Sequence, residues 1–213
     1  MMSGNDSIMA RAHSPLRFFC ALILFAGLAA APTFASGQGS ENSSWSLTDL
    51  MHDLARVQKA KATFVELKYL SLLTEPLTSS GTLEYTAPGR LEKHTLLPKP
   101  ESLVLDQGKL LVKRGNGGEK RTLTLQEHPS VWAFVESIRS TLAGDIETLN
   151  RFYRVTLDGR PEKWQLVLHP VESNIQSLVS EILIKGSAAE VTTIEIRETG
   201  GDYSVMSISR DDS

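Results

Sequence analysis

Gly81-Thr82-Leu83-Glu84-Tyr85-Thr86-Ala87-Pro88-Gly89-Arg90-Leu91 opens the stretch, residues 81–113, whose reading decides the fold. Its first five residues alternate apolar and polar, Ala87-Pro88-Gly89 turns the chain, and residues 91–97 run extended until Pro98 and Pro100 break them. Leu103-Val104-Leu105, Asp106-Gln107-Gly108 and Lys109-Leu110-Leu111-Val112 then spell a hairpin. A meander of this kind has one wet and one oily face, so something apolar must lie against the second.

Working outward, Thr63-Phe64-Val65-Glu66-Leu67-Lys68-Tyr69-Leu70 has period 2 and predicts a first strand reaching residue 73. Before it, Ser46 caps a helix with Asp49 three residues on, and Leu47, Leu50, Met51, Leu54 and Val57 form one apolar stripe. After the meander, Gly115-Asn116-Gly117-Gly118 is a hairpin turn, and residues 121–126 supply the returning strand. No helix opens behind those glycines and no Lys-Ser/Thr pair follows, so they do not cradle phosphate. His128-Pro129-Ser130 starts a second helix with Val131, Phe134, Val135, Ile138 and Leu142 on one side and Gly144 as its stop; Asp145 caps a third. Strands then resume: Tyr153-Val155-Leu157, Trp164-Leu166-Leu168, a loop with Asn174, Ile182-Ile184, Ile194-Ile196, and a last run over 203–208.

About eleven strands and three helices result, with short turns everywhere except at the two middle helices. A sheet this long curls through its twist, which leaves the concave side for the helices. The expected fold is α+β: a half-closed antiparallel β-barrel with helices covering the concave face. Its predicted apolar lining is Leu83, Tyr85, Leu103, Leu105, Leu110, Trp132, Ile138, Trp164, Leu166, Leu168, Ile182, Ile184, Ile194 and Ile196.

The chain has 213 residues, 41% hydrophobic and 22% charged, which suits one globular domain with a sizeable core. Arg11 and Arg17 precede an apolar run at 18–31, and Thr33-Phe34-Ala35 ends it in small residues, so residues 1–35 read as a secretory signal peptide. Met9, just ahead of Arg11, is an alternative start. Residues 36–45 form a flexible lead-in, 46–209 the domain and 210–213 a tail, with Asp211-Asp212 solvated. Cys20 lies inside the signal, which removes disulfides, thiol catalysis and cysteine metal sites from the exported chain and fits a bacterial periplasm. Export takes two of 22 basic and one of 25 acidic residues, leaving 20 against 24, a net charge of −4. That balance argues against nucleic acid as a partner and supplies no basic stripe for anionic lipid.

Catalytic motifs are lacking. His52, His94, His128 and His169 are scattered without a two-histidine zinc spacing, and G-x-S-x-G is absent, so neither metal nor cofactor nor enzymatic activity is expected. A cavity that removes an acyl chain from water gains about 0.8 kcal/mol per methylene, on the order of 10 kcal/mol for some fourteen carbons.

The order of the first helix, Phe64-Val65-Glu66, residues 81–91, Leu105-Asp106-Gln107-Gly108-Lys109-Leu110, Trp164-Gln165-Leu166-Val167-Leu168-His169-Pro170, Ile182-Leu183-Ile184, Ile194-Glu195-Ile196 and Gly201-Asp202 resembles the outer-membrane lipoprotein carrier (LolA) family across residues 47–208. That resemblance implies a periplasmic, monomeric shuttle that holds acyl chains under a helical lid, collects cargo from an inner-membrane exporter and delivers it to an outer-membrane acceptor. In the family the turn after the second strand carries Arg-Pro, and the arginine ties the lid shut; here Ala87 precedes Pro88, with Arg90 nearby as an alternative lid contact. The departure points to a divergent member whose cargo is a lipoprotein, a glycolipid or an aryl-polyene-type lipid. Two other functions fit the fold. One is a periplasmic lipoprotein sensor of the RseB type, which would want a second domain beyond the 178 residues left after export (213 less 35). The other is an enzyme acting on a lipid or glycan, which a polar cluster inside the barrel would favour.

Overall fold

In a computed structural model the protein is described at residues 45–115, 120–124 and 129–210. The predicted signal, residues 36–44 of the lead-in, Asn116-Gly117-Gly118, the end of the returning strand at 125–126, His128 and the Asp211-Asp212 tail lie outside those residues.

Helix α1 (Leu47–Ala55) begins at a capping box: Asp49 N–H donates to Ser46 Oγ at 3.3 Å, and Ser46 N–H donates back to Asp49 Oδ2 at 2.8 Å. The bonds from Ser46 hold the Asp49 carboxyl below its ordinary range. Leu50, Met51 and Leu54 are buried, while Val57 falls beyond the helix, in a turn closed by its N–H on the Leu54 carbonyl. The first strand, β1 (Lys59–Tyr69), starts and stops four residues earlier than its apolar alternation predicts. Its Lys59-Ala60-Lys61-Ala62 start carries no strong strand signal, but it pairs in register with residues 83–86 of the next strand, and that ladder decides its state. A turn from the Leu70 carbonyl to Leu73 N–H ends it.

The meander follows as β2 (Leu77–Thr86), β3 (Arg90–Leu97), β4 (Glu101–Asp106), β5 (Lys109–Arg114) and β6 (Lys120–Thr124). Gln107 and Gly108 both take positive φ in the β4–β5 turn, as a two-residue hairpin loop requires. Helices α2 (Pro129–Ala143) and α3 (Ile146–Phe152) come next, then β7 (Tyr153–Arg160), β8 (Lys163–Pro170), a short α4 (Ser173–Gln176), β9 (Val179–Ser187), β10 (Glu190–Glu198) and β11 (Tyr203–Arg210). The predicted loop around Asn174 therefore holds a helical turn, in which Ile175 is buried.

All eleven strands form one antiparallel sheet in the order β6-β5-β4-β3-β2-β1-β11-β10-β9-β8-β7. The half-closed barrel predicted from the turn pattern is the observed fold, with β6 and β7 as its free edges. Helices α2 and α3 carry the chain from one free edge to the other, so they lie across the open side rather than behind the sheet. Gly144 makes their corner possible: its φ is +66°, and a Cβ there would sit 2.1 Å from the Met51 carbonyl oxygen. Asp145 caps α3 by accepting from Thr148 N–H at 3.0 Å.

The core occupies one half of the concave face. Leu50, Met51 and Leu54 of α1, Leu149 of α3 and Ile175 of α4 pack onto Tyr153, Trp164, Leu166, Leu168, Ile182 and Ile184 of β7–β9. Trp164 fits because Gly186 lies beneath it, where a Cβ would approach its ring to 2.2 Å; its indole N–H donates to the Ala188 carbonyl at 2.8 Å.

Candidate functional site

The other half of the concave face is built by the register of β2–β6. Tyr85, Leu91, Leu105, Leu110 and Leu123 are cross-strand partners in one row, and Leu83, Lys93, Leu103, Val112 and Arg121 form the next. Cross-strand partners share a face, so these rows are an apolar surface interrupted by Lys93 and ended at the β6 edge by Arg121. Tyr85 and Leu105 are buried, whereas Leu83, Leu91, Leu103, Leu110, Val112 and Leu123 remain half-exposed.

The fourteen predicted lining residues thus divide. Leu83, Tyr85, Leu103, Leu105 and Leu110 come together in these two rows. Trp164, Leu166, Leu168, Ile182 and Ile184 are at most 1% exposed and sit inside the packed core, where they line no open space; Ile138, Ile194 and Ile196 pack against that core. Trp132, half-buried on α2, meets the Phe152 ring with centroids 6.5 Å apart. Leu91, Val112 and Leu123 belong to the same surface as Leu83, and strict alternation from Leu91 and Leu110 would have found them.

Sequence reasoning also missed a polar pair in this floor. Lys93 Nζ lies 2.5 Å from Glu66 Oε2, with their side chains 25% and 18% exposed. Ser79 Oγ donates to the same carboxylate oxygen at 3.4 Å, and the ammonium stands 4.9 Å over the Phe64 ring. Alternation in β3 places Lys93 on the face of Leu91, which was the available signal.

The connection between lid and sheet runs through Arg139 on α2. Its Nε donates to Glu136 Oε1 at 2.7 Å, Nη2 lies 3.2 Å from Asp145 Oδ2, and Nη1 donates to the Pro88 carbonyl at 3.3 Å. The bond to Glu136 pushes the guanidinium pKa further up against the opposing effect of burial, so the side chain stays cationic. Burial pushes the Tyr85 hydroxyl up, and the charge of Arg139 partly offsets it. Gly89 leaves room for this approach, since a Cβ there would meet Arg139 Cδ at 2.9 Å. The tie between the β2–β3 turn and the lid is therefore reversed in polarity from the one expected of an Arg-Pro turn: the helix supplies the guanidinium and the turn supplies a carbonyl. The suggested lid contact of Arg90 is corrected, because its Nε and Nη1 are taken by Glu92 at 2.9 Å and Asp106 at 2.7 Å on the sheet.

Two surface depressions lie away from this floor. One of about 470 Å³ is lined by Arg154, His169, Gln176 and Ser180, and one of about 300 Å³ by Asp53, Arg56 and Val57. No group of histidine, cysteine or carboxylate side chains among the described residues is arranged to hold a metal, and no described helix is long and apolar enough to cross a membrane.

A curved sheet with one packed half, one half-open apolar half and a helix laid across its opening defines a class of proteins that enclose apolar ligands. The family model described as outer membrane lipoprotein carrier protein LolA-like matches residues 40–209, and the chain belongs to that family. Among solved structures it is similar to the MucA/MucB complex of Pseudomonas aeruginosa, at 14% identity and a TM-score of 0.45, covering 77% of this chain and 56% of that one. The chain thus spans little more than half the length of the matched chain in that complex. It is also similar to a LolA superfamily protein from Nitrosomonas europaea, at 8% identity and a TM-score of 0.42, covering 80% and 96%. No curated protein matches.

Proposed function

We propose that the protein is a non-enzymatic periplasmic carrier that takes the acyl chains of a lipoprotein or lipid between the β2–β6 floor and α2, and moves them from an inner-membrane exporter to an outer-membrane acceptor. The observation that carries this reading is the half-exposed double row from Leu83 to Leu123 facing a helix crossover, in a molecule whose other half is fully packed. These side chains are only partly buried, so apolar surface is left to cover, and an acyl chain laid on it recovers about 0.8 kcal/mol per methylene covered. Membership of the LolA-like family supports the same cargo class, a lipoprotein or a lipid-linked product such as a glycolipid or aryl-polyene lipid.

Glu66, Lys93 and Ser79 favour a second reading, an enzyme acting on a lipid or glycan, because they place polar groups inside the barrel. Against it, the carboxylate is already neutralised by the lysine, which leaves no free base or nucleophile at that point. The test is mass spectrometry of lipid extracted from the protein purified from a periplasmic fraction. A carrier yields stoichiometric acyl lipid that Leu103→Arg removes and Glu66→Gln leaves chemically unchanged. Absence of lipid from the parent, or its retention by Leu103→Arg, overturns the carrier; altered lipid composition with Glu66→Gln favours the enzyme.

A further inference from the structure

Of the ten large apolar side chains left most exposed among the described residues, eight lie at one rim of the sheet, and Val65 and Leu111 lie elsewhere on the strands. The rim is formed by the β1–β2 loop, the β3–β4 turn, the β10–β11 turn and the segment around α4. Leu72 is 95% exposed, Leu97 63% and Leu96 59%. The opposite rim, with the β2–β3, β4–β5 and β7–β8 turns, carries none of the ten and bears ion pairs such as Arg90–Asp106 and Arg160–Glu162 instead.

The apolar rim is one connected edge. Ser71 N–H donates to Asp202 Oδ1 at 2.8 Å, the Tyr69 and Tyr203 rings stack with centroids 4.4 Å apart, and Gly115 N–H donates to the Pro100 carbonyl at 2.8 Å. Its tips suit an apolar medium, because Leu73 N–H is bonded to the Leu70 carbonyl, and Pro98 and Pro100 have no N–H to desolvate. The flank at the β3–β6 end carries an excess of basic residues. Lys99, Lys113, Arg114, Lys120 and Arg121 gather there against Glu101 and, next to Lys120 in sequence, Glu119, in a chain whose net charge is −3. Lys99, Lys113 and Lys120 form no ion pair among the described residues. Composition supplies no basic stripe, but strand pairing brings these lysines from separate strand ends and turns to one corner.

We propose that this rim docks on an anionic lipid bilayer, with Leu72, Leu96 and Leu97 entering the headgroup–acyl boundary and Lys99, Lys113 and Lys120 meeting lipid phosphates. Charge complementarity at the β3–β6 flank decides for a bilayer: Leu96 and Leu97 stand beside Lys99, while Glu75 and Glu172 lie on the far parts of the rim, and the stacked Tyr69 and Tyr203 rings belong to the same edge, as aromatic side chains do at a membrane interface. A flat protein partner would leave such separate tips poorly packed.

Flotation with vesicles of phosphatidylglycerol and phosphatidylethanolamine, compared with pure phosphatidylcholine, tests this, each variant carrying the same N-terminus as the parent. The parent is expected to float with the anionic vesicles and to be released by salt. Lys99→Gln/Lys120→Gln is expected to weaken binding about thirtyfold at low salt, and Leu72→Ser/Leu97→Ser to abolish it with an unchanged melting temperature, since those side chains touch little of the fold. Leu111→Ser, exposed on β5, serves as the unaffected control. A parent that ignores anionic vesicles, or rim variants that bind as the parent does, overturns the proposal. Lipid content inside the barrel is read separately, so failure here leaves the carrier reading standing and the reverse also holds.

Discussion

The two halves of the concave face are written in the same code and end in different states. Strands β7–β9 and β2–β5 both alternate apolar and polar residues, yet Trp164, Leu166 and Leu168 are at most 1% exposed while Leu83, Leu103 and Leu110 stay half-exposed. The difference lies in the connections. Helix α3 runs into β7 with no intervening loop, Phe152 ending the one and Tyr153 starting the other, so it can lie only over the β7 edge. Helices α1 and α4 join it there, and only α2 spans toward β2–β6, where Arg139 reaches the Pro88 carbonyl. Cover, rather than strand composition, separates core from binding floor.

The largest expected effect breaks that contrast directly. Leu166→Arg puts a charge in a fully enclosed site and should unfold the protein, a loss above about 4 kcal/mol. Leu103→Arg places the same group on the open floor and should change stability by less than about 1 kcal/mol while eliminating bound lipid. Thermal unfolding followed by circular dichroism, with lipid content measured on the same samples, reads both. Equal destabilisation by the two substitutions would mean that the floor is as packed as the core.

A smaller effect concerns the pair that interrupts the floor. Lys93→Ala leaves the Glu66 carboxylate with Ser79 alone in a partly enclosed position and should cost about 1–3 kcal/mol. Adding Glu66→Gln should restore most of that. Urea unfolding of the two single variants and the double gives the coupling, and an additive cycle would remove the pair from any role in the floor.

Much of this was legible in advance, for physical reasons that can be assigned to particular residues. Turn residues and alternation are local signals, so the strand count, the Gly144 stop and the Asp145 cap could be read from the chain. Which apolar residues become core depends on where helices land, a tertiary matter; hence Trp164 and Leu83 looked equivalent. Arg139 escaped notice because Glu136 three residues before it makes an ordinary helix-surface pair, and only the β2–β3 turn beneath gives it a second partner. Lys99 and Lys120 are 21 residues apart in sequence, and the rim they share exists only once the strands pair.

Arg139→Ala tests how α2 is held over the open half. It removes the bonds to Glu136, Asp145 and the Pro88 carbonyl together, and should lower stability by about 1–2 kcal/mol. The more diagnostic readout is amide exchange, which should speed up in α2 and leave β8 and β9 unchanged. Uniform acceleration across both halves would show that the lid does not open by itself.

The smallest effect is a pH dependence at the α2–α3 corner. Burial acts to raise the Asp145 carboxyl, but the bonds from Thr148 and Arg139 outweigh it and hold the pKa below its ordinary 3.8. A carboxyl depressed on folding adds stability in full above its unfolded value, and that part is lost as pH falls through the folded value. The loss should therefore begin near pH 4, and it stays under about 1 kcal/mol because the carboxyl is partly screened by solvent. Asp49, Asp202 and Glu92 are lowered too, so acid alone does not isolate Asp145. Asp145→Asn keeps a capping side chain and removes the titration; the parent should exceed it in stability at pH 7, and the gap should shrink as pH falls below about 4. A gap that is constant from pH 7 to pH 3 would show that Asp145 acts as a neutral cap and that its charge does not hold Arg139 in place over the turn.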